Sequence, residues 1–183
     1  MTTKQPERQS SQIFLLFDKI DSDSAKVVCE WIIENNISKI KHPFLTLVVN
    51  SEGGDISSAF AIIDMMNSSF IPVNTIGIGE ISSSGLMIFT NGVQRSITPN
   101  TSIMCHRFSA GFDGKYHELQ AITKEYEMIN DRMTNHFMAR TGMTRKEVEK
   151  HLLQGQDVYL SPEKAVEFKL ADVISLVDFS KSP

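Results

Sequence analysis

The stretch GEISSSGLMIF, residues 79–89, sets three serines between two glycines and runs into an apolar segment. A serine hydroxyl becomes a nucleophile once a neighbouring base takes its proton. Ser82, Ser83 and Ser84 are therefore three candidates for acyl-transfer chemistry, and equally three ordinary caps for a following helix. A second glycine turn, Gly53-Gly54, lies in NSEGGD, residues 50–55. The chain has five histidines, at 42, 106, 117, 136 and 151. His42 precedes Pro43, His136 and His151 lie on helical patterns, and His117 stands at the start of a long one. His106 differs, because it closes the strand-like TSIMCH, where a ring can lean over a neighbouring strand end. Cys105 beside it points to the opposite face, since strand side chains alternate, which argues against a Cys–His pair.

Taken singly, each feature is usually structural: a serine run caps a helix, a strand-end histidine packs, and a glycine pair turns the chain. Together, at successive strand ends, they form the parts of a nucleophile, a base and an oxyanion site. Two helix N-termini side by side offer unpaired N–H groups and a dipole that favours negative charge. Removing one such donor in a serine protease costs about 3–4 kcal/mol of barrier. The G-x-S-x-G elbow of α/β-hydrolases is absent, because Gly79 lies four residues before Ser83.

These residues must be positioned by strands and helices. IFLLF (13–17), FLTLVV (44–49) and VNTIGIG (73–79) read as buried strands, and VQRSI and TSIMCH as two more joined at Pro99-Asn100. Helices are predicted from Ser22 or Asp23 to about Asn35, from Ile56, and from about Gly85. Leu119, Ile122, Tyr126, Ile129, Met133 and Phe137 step by three or four, which predicts a long helix over 116–141 ending at Gly142. Thr144 with Glu147 forms a capping box, Ser161-Pro162 opens a last helix, and VISLV (173–177) closes as a strand. Strands alternating with helices mean an α/β fold. The 116–141 helix is too long for a crossover between adjacent strands, and so is expected to project from the body.

Composition excludes several classes. The 183 residues are enough for one domain with a sizeable core. A net charge of −4 gives no basic footprint for nucleic acid. No apolar run approaches the about 18–20 residues that cross a bilayer. Residues 1–12 are polar without an apolar core, and read as a mobile arm rather than a secretion signal. Cys29 and Cys105, the two cysteines, read as reduced thiols of a cytoplasmic protein and form neither a disulfide framework nor a zinc site.

NSEGGDISSAFAIIDMM, GEISSSGLMIF, TSIMCH and YLSPEKAVEFKLADVI together resemble the Clp protease proteolytic subunit family, ClpP, in order and spacing from about Ile13 to Val177. The resemblance implies a ClpP/crotonase-like fold: a stacked β-α superhelix with a projecting handle helix, in one domain over 13–183 with a handle region about 108–141. It implies a serine endopeptidase with Ser83 as nucleophile, His106 as base and Asp157 as the carboxylate that orients it. Gly54 and Ser84 would be the backbone oxyanion donors. Leu86 and Met87 would line an apolar pocket, and Gly111 would belong to an extended strand that pairs with peptide substrates. No cofactor and no metal are implied. Implied partners are peptide substrates, further copies in a heptameric ring or two stacked rings, and a AAA+ Clp ATPase.

The chain departs from the family pattern at Glu52 (proline in the family), Ser84 (methionine) and Lys169 (glycine). Gln156 and Gly155 replace the arginine and acidic residue that help rings pair. The segment ahead of Ile13 is shorter than the family's axial loop and first helix. Two rivals remain at this point: a crotonase-like acyl-CoA enzyme using the same two-helix oxyanion hole, and a non-catalytic ring subunit.

Overall fold

In a computed structural model, residues 12–40, 42–109, 111 and 115–177 are described. The arm expected over 1–12 lies outside this range except for Gln12. Ala110 and residues 112–114 of the expected substrate-pairing stretch also lie outside it.

The elements follow in the order β1 (Ile13–Leu16), α1 (Ser22–Ile37), β2 (Leu45–Ser51), α2 (Ile56–Ser68), β3 (Val73–Ser82), α3 (Ser84–Thr90), β4 (Arg95–Ile97), β5 (Ser102–Cys105), α4 (Tyr116–Thr141), α5 (Arg145–His151), β6 (Val158–Leu160), α6 (Pro162–Glu167) and β7 (Val173–Ile174). Local chemistry explains most boundaries. The Asp21 side chain accepts from the Asp23 and Ser24 N–H groups to start α1, and Asp55 accepts from Ser58 N at 2.7 Å to start α2. Gly142, at φ +76°, ends α4 in the left-handed conformation that glycine tolerates. The Thr144–Glu147 box starts α5, and Ser161 caps α6 with Pro162 in its first turn.

Strands β1, β2, β3, β4 and β7 run parallel in that spatial order. Strand β3 belongs to two neighbourhoods. Its first half pairs with β4, through Thr75–Gly77 against Arg95–Ile97, and its second half with β5, through Glu80–Ser82 against Ser102–Met104. The handover happens at Gly79, where the β2–β3 register also slips between Val49 and Ser51. Gly79 has φ +63°, and a Cβ there would stand 2.7 Å from Asn50 Oδ1. That oxygen accepts the Glu80 N–H at 3.0 Å. A side chain at residue 79 would therefore meet both backbone strain and a clash, which is the physical need for this glycine.

Strand β3 thus runs on to Ser82 rather than stopping at 79, and carries the serine run to the end of the sheet. Strand β6, which has no alternating signature of its own, pairs antiparallel with β5. Strand β7 is shorter than the expected 173–177. The core lies between the sheet and helices α1, α2 and α3, with Phe14 and Trp31 rings 5.4 Å apart at one side. Every residue of α3 is buried, because this short helix packs against β2, β3, β5, α2 and α4 at once. Along α4 the apolar stripe is buried at Ile129, Met133 and Phe137, whereas Leu119 is 41% exposed.

Candidate active site

The serine run sits at the turn from β3 into α3. Ser83 has φ 53° and ψ −121°, outside the regions that L-residues ordinarily occupy. Its N–H donates to Met104 O at 2.8 Å, which continues the β3–β5 ladder to the last residue before the helix. The chain must then reverse within one residue, and this sharp reversal turns the Ser83 side chain out of the core. The backbone device resembles the strained nucleophile elbow of α/β-hydrolases, although the glycine spacing differs.

Ser83 Oγ lies 2.9 Å from His106 Nε2. His106 follows the last residue of β5, and both residues are half-buried. With the ring proton on Nδ1, the hydroxyl donates to Nε2 in the geometry that general-base activation requires. Neither neighbour can substitute for Ser83. Ser82 is fully buried and donates its hydroxyl to Glu80 Oε1 at 2.8 Å. Ser84 is buried and its hydroxyl lies 3.3 Å from Gly54 O, which ties the two glycine-flanked strand ends together. That side chain, which stands where the family carries methionine, therefore has a polar partner. Cys105 is buried on the opposite face, donates to Val158 O at 3.7 Å, and burial pushes its thiol up to about 12, so it stays protonated at neutral pH.

The glycine turn meets the serine turn directly. A Cβ on Gly53 would stand 2.7 Å from Ser82 O and 2.8 Å from Ser83 Cβ, so only glycine permits this approach. Ser51, not singled out in the sequence, shapes the turn: its hydroxyl donates to Asp18 O at 2.6 Å and accepts the Gly53 N–H at 3.1 Å. The only sequence signal for it was its place one residue before Glu52 at the strand end. Helices α2 and α3 thus begin beside the same serine. Among the described residues the Gly54 N–H makes no hydrogen bond, and the Ser84 N–H, in the first turn of α3, has no acceptor within the helix. Glu52 is exposed at the rim.

Asp157 stands immediately before β6. The antiparallel register pairs Met104 with Tyr159 and Cys105 with Val158, so the next pair is His106 with Asp157. The backbone brings the two opposite each other, but Asp157 is exposed and makes no hydrogen bond among the described residues. Leu86 and Met87 correct an expectation: both are 0% exposed, and they pack behind Ser83 within the core instead of lining an open pocket. Gly111 is exposed, with open space where a Cβ would project. It lies within a stretch only partly described, although the residues just after His106 are fixed, with Arg107 N donating to Gln154 O and Phe108 N to Asn130 Oδ1.

Two comparisons bear on this geometry. The sequence model of the Clp protease family matches residues 7–177. The chain is also 32% identical over 166 residues to the ATP-dependent Clp protease proteolytic subunit 2 of Tropheryma whipplei (strain Twist), across 89% of this chain and 90% of that one.

Proposed function

The chain belongs to the Clp protease family, and on that premise we propose that Ser83, His106 and Asp157 are its catalytic triad. Membership makes it a serine endopeptidase of the ClpP type, a hydrolase, rather than a crotonase-like acyl-CoA enzyme. The observation that carries the residue assignment is the 2.9 Å contact between Ser83 Oγ and His106 Nε2 across two adjacent strand ends.

In the proposed reaction His106 Nε2 takes the Ser83 proton as Oγ attacks the scissile carbonyl. The developing oxyanion is met by the N–H groups of Gly54 and Ser84. His106 then protonates the leaving amine, and repeats the cycle with water to release the acyl group. Asp157, one register step across the β5–β6 ribbon, accepts the Nδ1–H and stabilises the imidazolium once its carboxylate turns onto the ring. A half-exposed serine peptidase in the cytoplasm would attack folded neighbours unless enclosed. We therefore place the site inside a chamber of associated copies, a ring or stacked rings as in the family. Because the Tropheryma whipplei relative is named as ATP-dependent, we also assign an ATP-driven unfolding partner of the Clp type.

A fluorophosphonate probe tests the assignment. The parent and Ser82→Ala chains label, Ser83→Ala does not, and His106→Ala slows labelling by about 100-fold or more. Labelling of Ser83→Ala at the parental rate would show that the nucleophile lies elsewhere.

A further inference from the structure

The seam between α3, α4 and the start of β4 holds more positive charge than it neutralises. Arg95 and Arg140 line an open cavity of about 290 Å³, together with Gly92, Val93 and Ala139. No carboxylate lines it among the described residues. Arg95 engages both oxygens of Asp172, through its backbone N–H, Nε and Nη2. Its Nη1 donates to the carbonyls of Arg140, at 3.2 Å, and Lys169, at 2.8 Å. Arg140 donates through Nε to Thr90 O and through Nη2 to Asn91 O. Its Nη1 makes no hydrogen bond among the described residues, so both N–H groups of that nitrogen are without an acceptor on a half-buried guanidinium. Asp172 thus neutralises one of two guanidiniums. Lys169 adds a third cation close by, exposed and in no ion pair among the described residues. Burial, and then the charge of Arg95, pull the Arg140 guanidinium below its ordinary value, and Asp172 opposes this without cancelling it.

We infer that this cavity binds a small oxyanion of the phosphate class, held by Arg140 Nη1 within the positive field of Arg95 and Lys169. The site is independent of the proposed triad, since it lies at the end of α3 away from Ser83. A guanidinium presents its donors in a planar fork that matches the oxygens of a phosphate. The cavity is small for an organic ligand, and no aromatic ring lines it to stack on a base. Both features favour the free anion over a nucleotide. The chain as a whole carries a net charge of −4, so the attraction is local to this seam. An anion seated there neutralises Arg140 without removing it from the Thr90 and Asn91 carbonyls.

Phosphorus NMR of inorganic phosphate, titrated at constant ionic strength set with chloride, reads the site directly. The parent broadens the phosphate resonance along a saturating curve. Ala139→Glu places a carboxylate in the cavity from an exposed helical position, so the fold is kept and phosphate affinity falls about 10-fold or more. Ala139→Gln, similar in size and uncharged, binds within about 3-fold of the parent. Arg140→Gln loses about 10-fold or more, because a charged hydrogen-bond donor is gone. Thermal unfolding gives a second reading. Phosphate raises the Tm of the parent along a saturating curve, as a bound ligand does. In Ala139→Glu only the shallow, non-saturating rise of a salt kept away from the surface remains. Adenosine monophosphate binds the parent more weakly than phosphate does. Parental affinity in Ala139→Glu, a parent that does not saturate, or acetate binding as tightly as phosphate would each overturn the site. Tighter binding of adenosine monophosphate would overturn the free anion as its ligand.

Discussion

Ser83 holds a backbone conformation that costs on the order of 1–3 kcal/mol for a residue with a Cβ. The sheet over-determines it, since the Ser83 N–H is fixed to Met104 O and Gly53 packs against its Cβ. The strain has a measurable consequence once the hydroxyl is gone. Ser83→Gly should be more stable than Ser83→Ala by about 1 kcal/mol, because relief of strain exceeds the entropy that glycine gains in the unfolded chain. Thermal unfolding of the two variants checks this, and a lower Tm for the glycine variant would remove the strain from the account. Lys169 offers a second case away from the site. It has φ +57° where the family carries glycine, and its carbonyl accepts from Arg95 Nη1 at 2.8 Å. Lys169→Gly should likewise gain about 1 kcal/mol. At this scale the glycines were informative in the sequence, because Gly53 and Gly79 answer to clashes that any side chain would cause. The choice among three adjacent serines was not legible from residue type. It depends on which of them stands at the reversal, and burial of Ser82 and Ser84 is a tertiary fact.

At the scale of elements, α3 is held at both ends. Its first residue follows Ser83, and its last carbonyls are gripped by α4. His136 Nε2 lies 3.0 Å from Met87 O and 3.0 Å from Thr90 Oγ1. Arg140 donates through Nε to Thr90 O at 3.1 Å and through Nη2 to Asn91 O. Burial in this seam, with a smaller push from Arg140, lowers His136 from 6.5 to about 4, so the ring is neutral at pH 7. The unfolded chain binds the proton more tightly than the folded one between these two values. Stability is therefore unaffected by this group above pH 6.5 and falls as the pH drops from there towards 4. The loss is on the order of 3 kcal/mol. His136→Gln, which can still donate to Met87 O, should flatten the pH dependence of denaturant unfolding over that range. An unchanged slope would mean that other groups carry the acid sensitivity. The long α4 was legible because an apolar step of three or four persists from Leu119 to Phe137 and a left-handed glycine ends the helix. Strand β6 was not legible: three residues carry too little periodicity, and only its pairing with β5 makes it a strand. The start of α3 fell one residue earlier than expected because the strained Ser83, not Gly85, makes the turn.

At the scale of the whole molecule, the described chain leaves two things unfinished. The Asp157 carboxylate stands opposite His106 in the ladder without bonding to it. An apolar face also lies open along the first strand and helix: Leu15 is 60% exposed, Phe17 49% and Val27 42%, around a groove of about 290 Å³. Among the described residues β1 pairs only with β2, so this face lies at the edge of the sheet. Exposed apolar surface of this kind marks association. Association can also turn the Asp157 carboxylate onto His106, as the proposed triad requires, since Gly155 and Gln156, next to Asp157, are exposed and free to be seated by a neighbour. Light scattering should then give a mass several times the 20.5 kDa of one chain. Leu15→Asp should lower that mass while leaving the far-ultraviolet circular dichroism unchanged, because a charge on an interface costs association and an exposed position costs the fold little. Fluorophosphonate labelling per chain should rise with protein concentration in the parent and stay low in Leu15→Asp. If dissociated Leu15→Asp labels as fast as the parent assembly, Ser83 and His106 are already competent in the single chain. The open face would then serve enclosure alone, and the Asp157 carboxylate would reach His106 without help from a neighbouring copy.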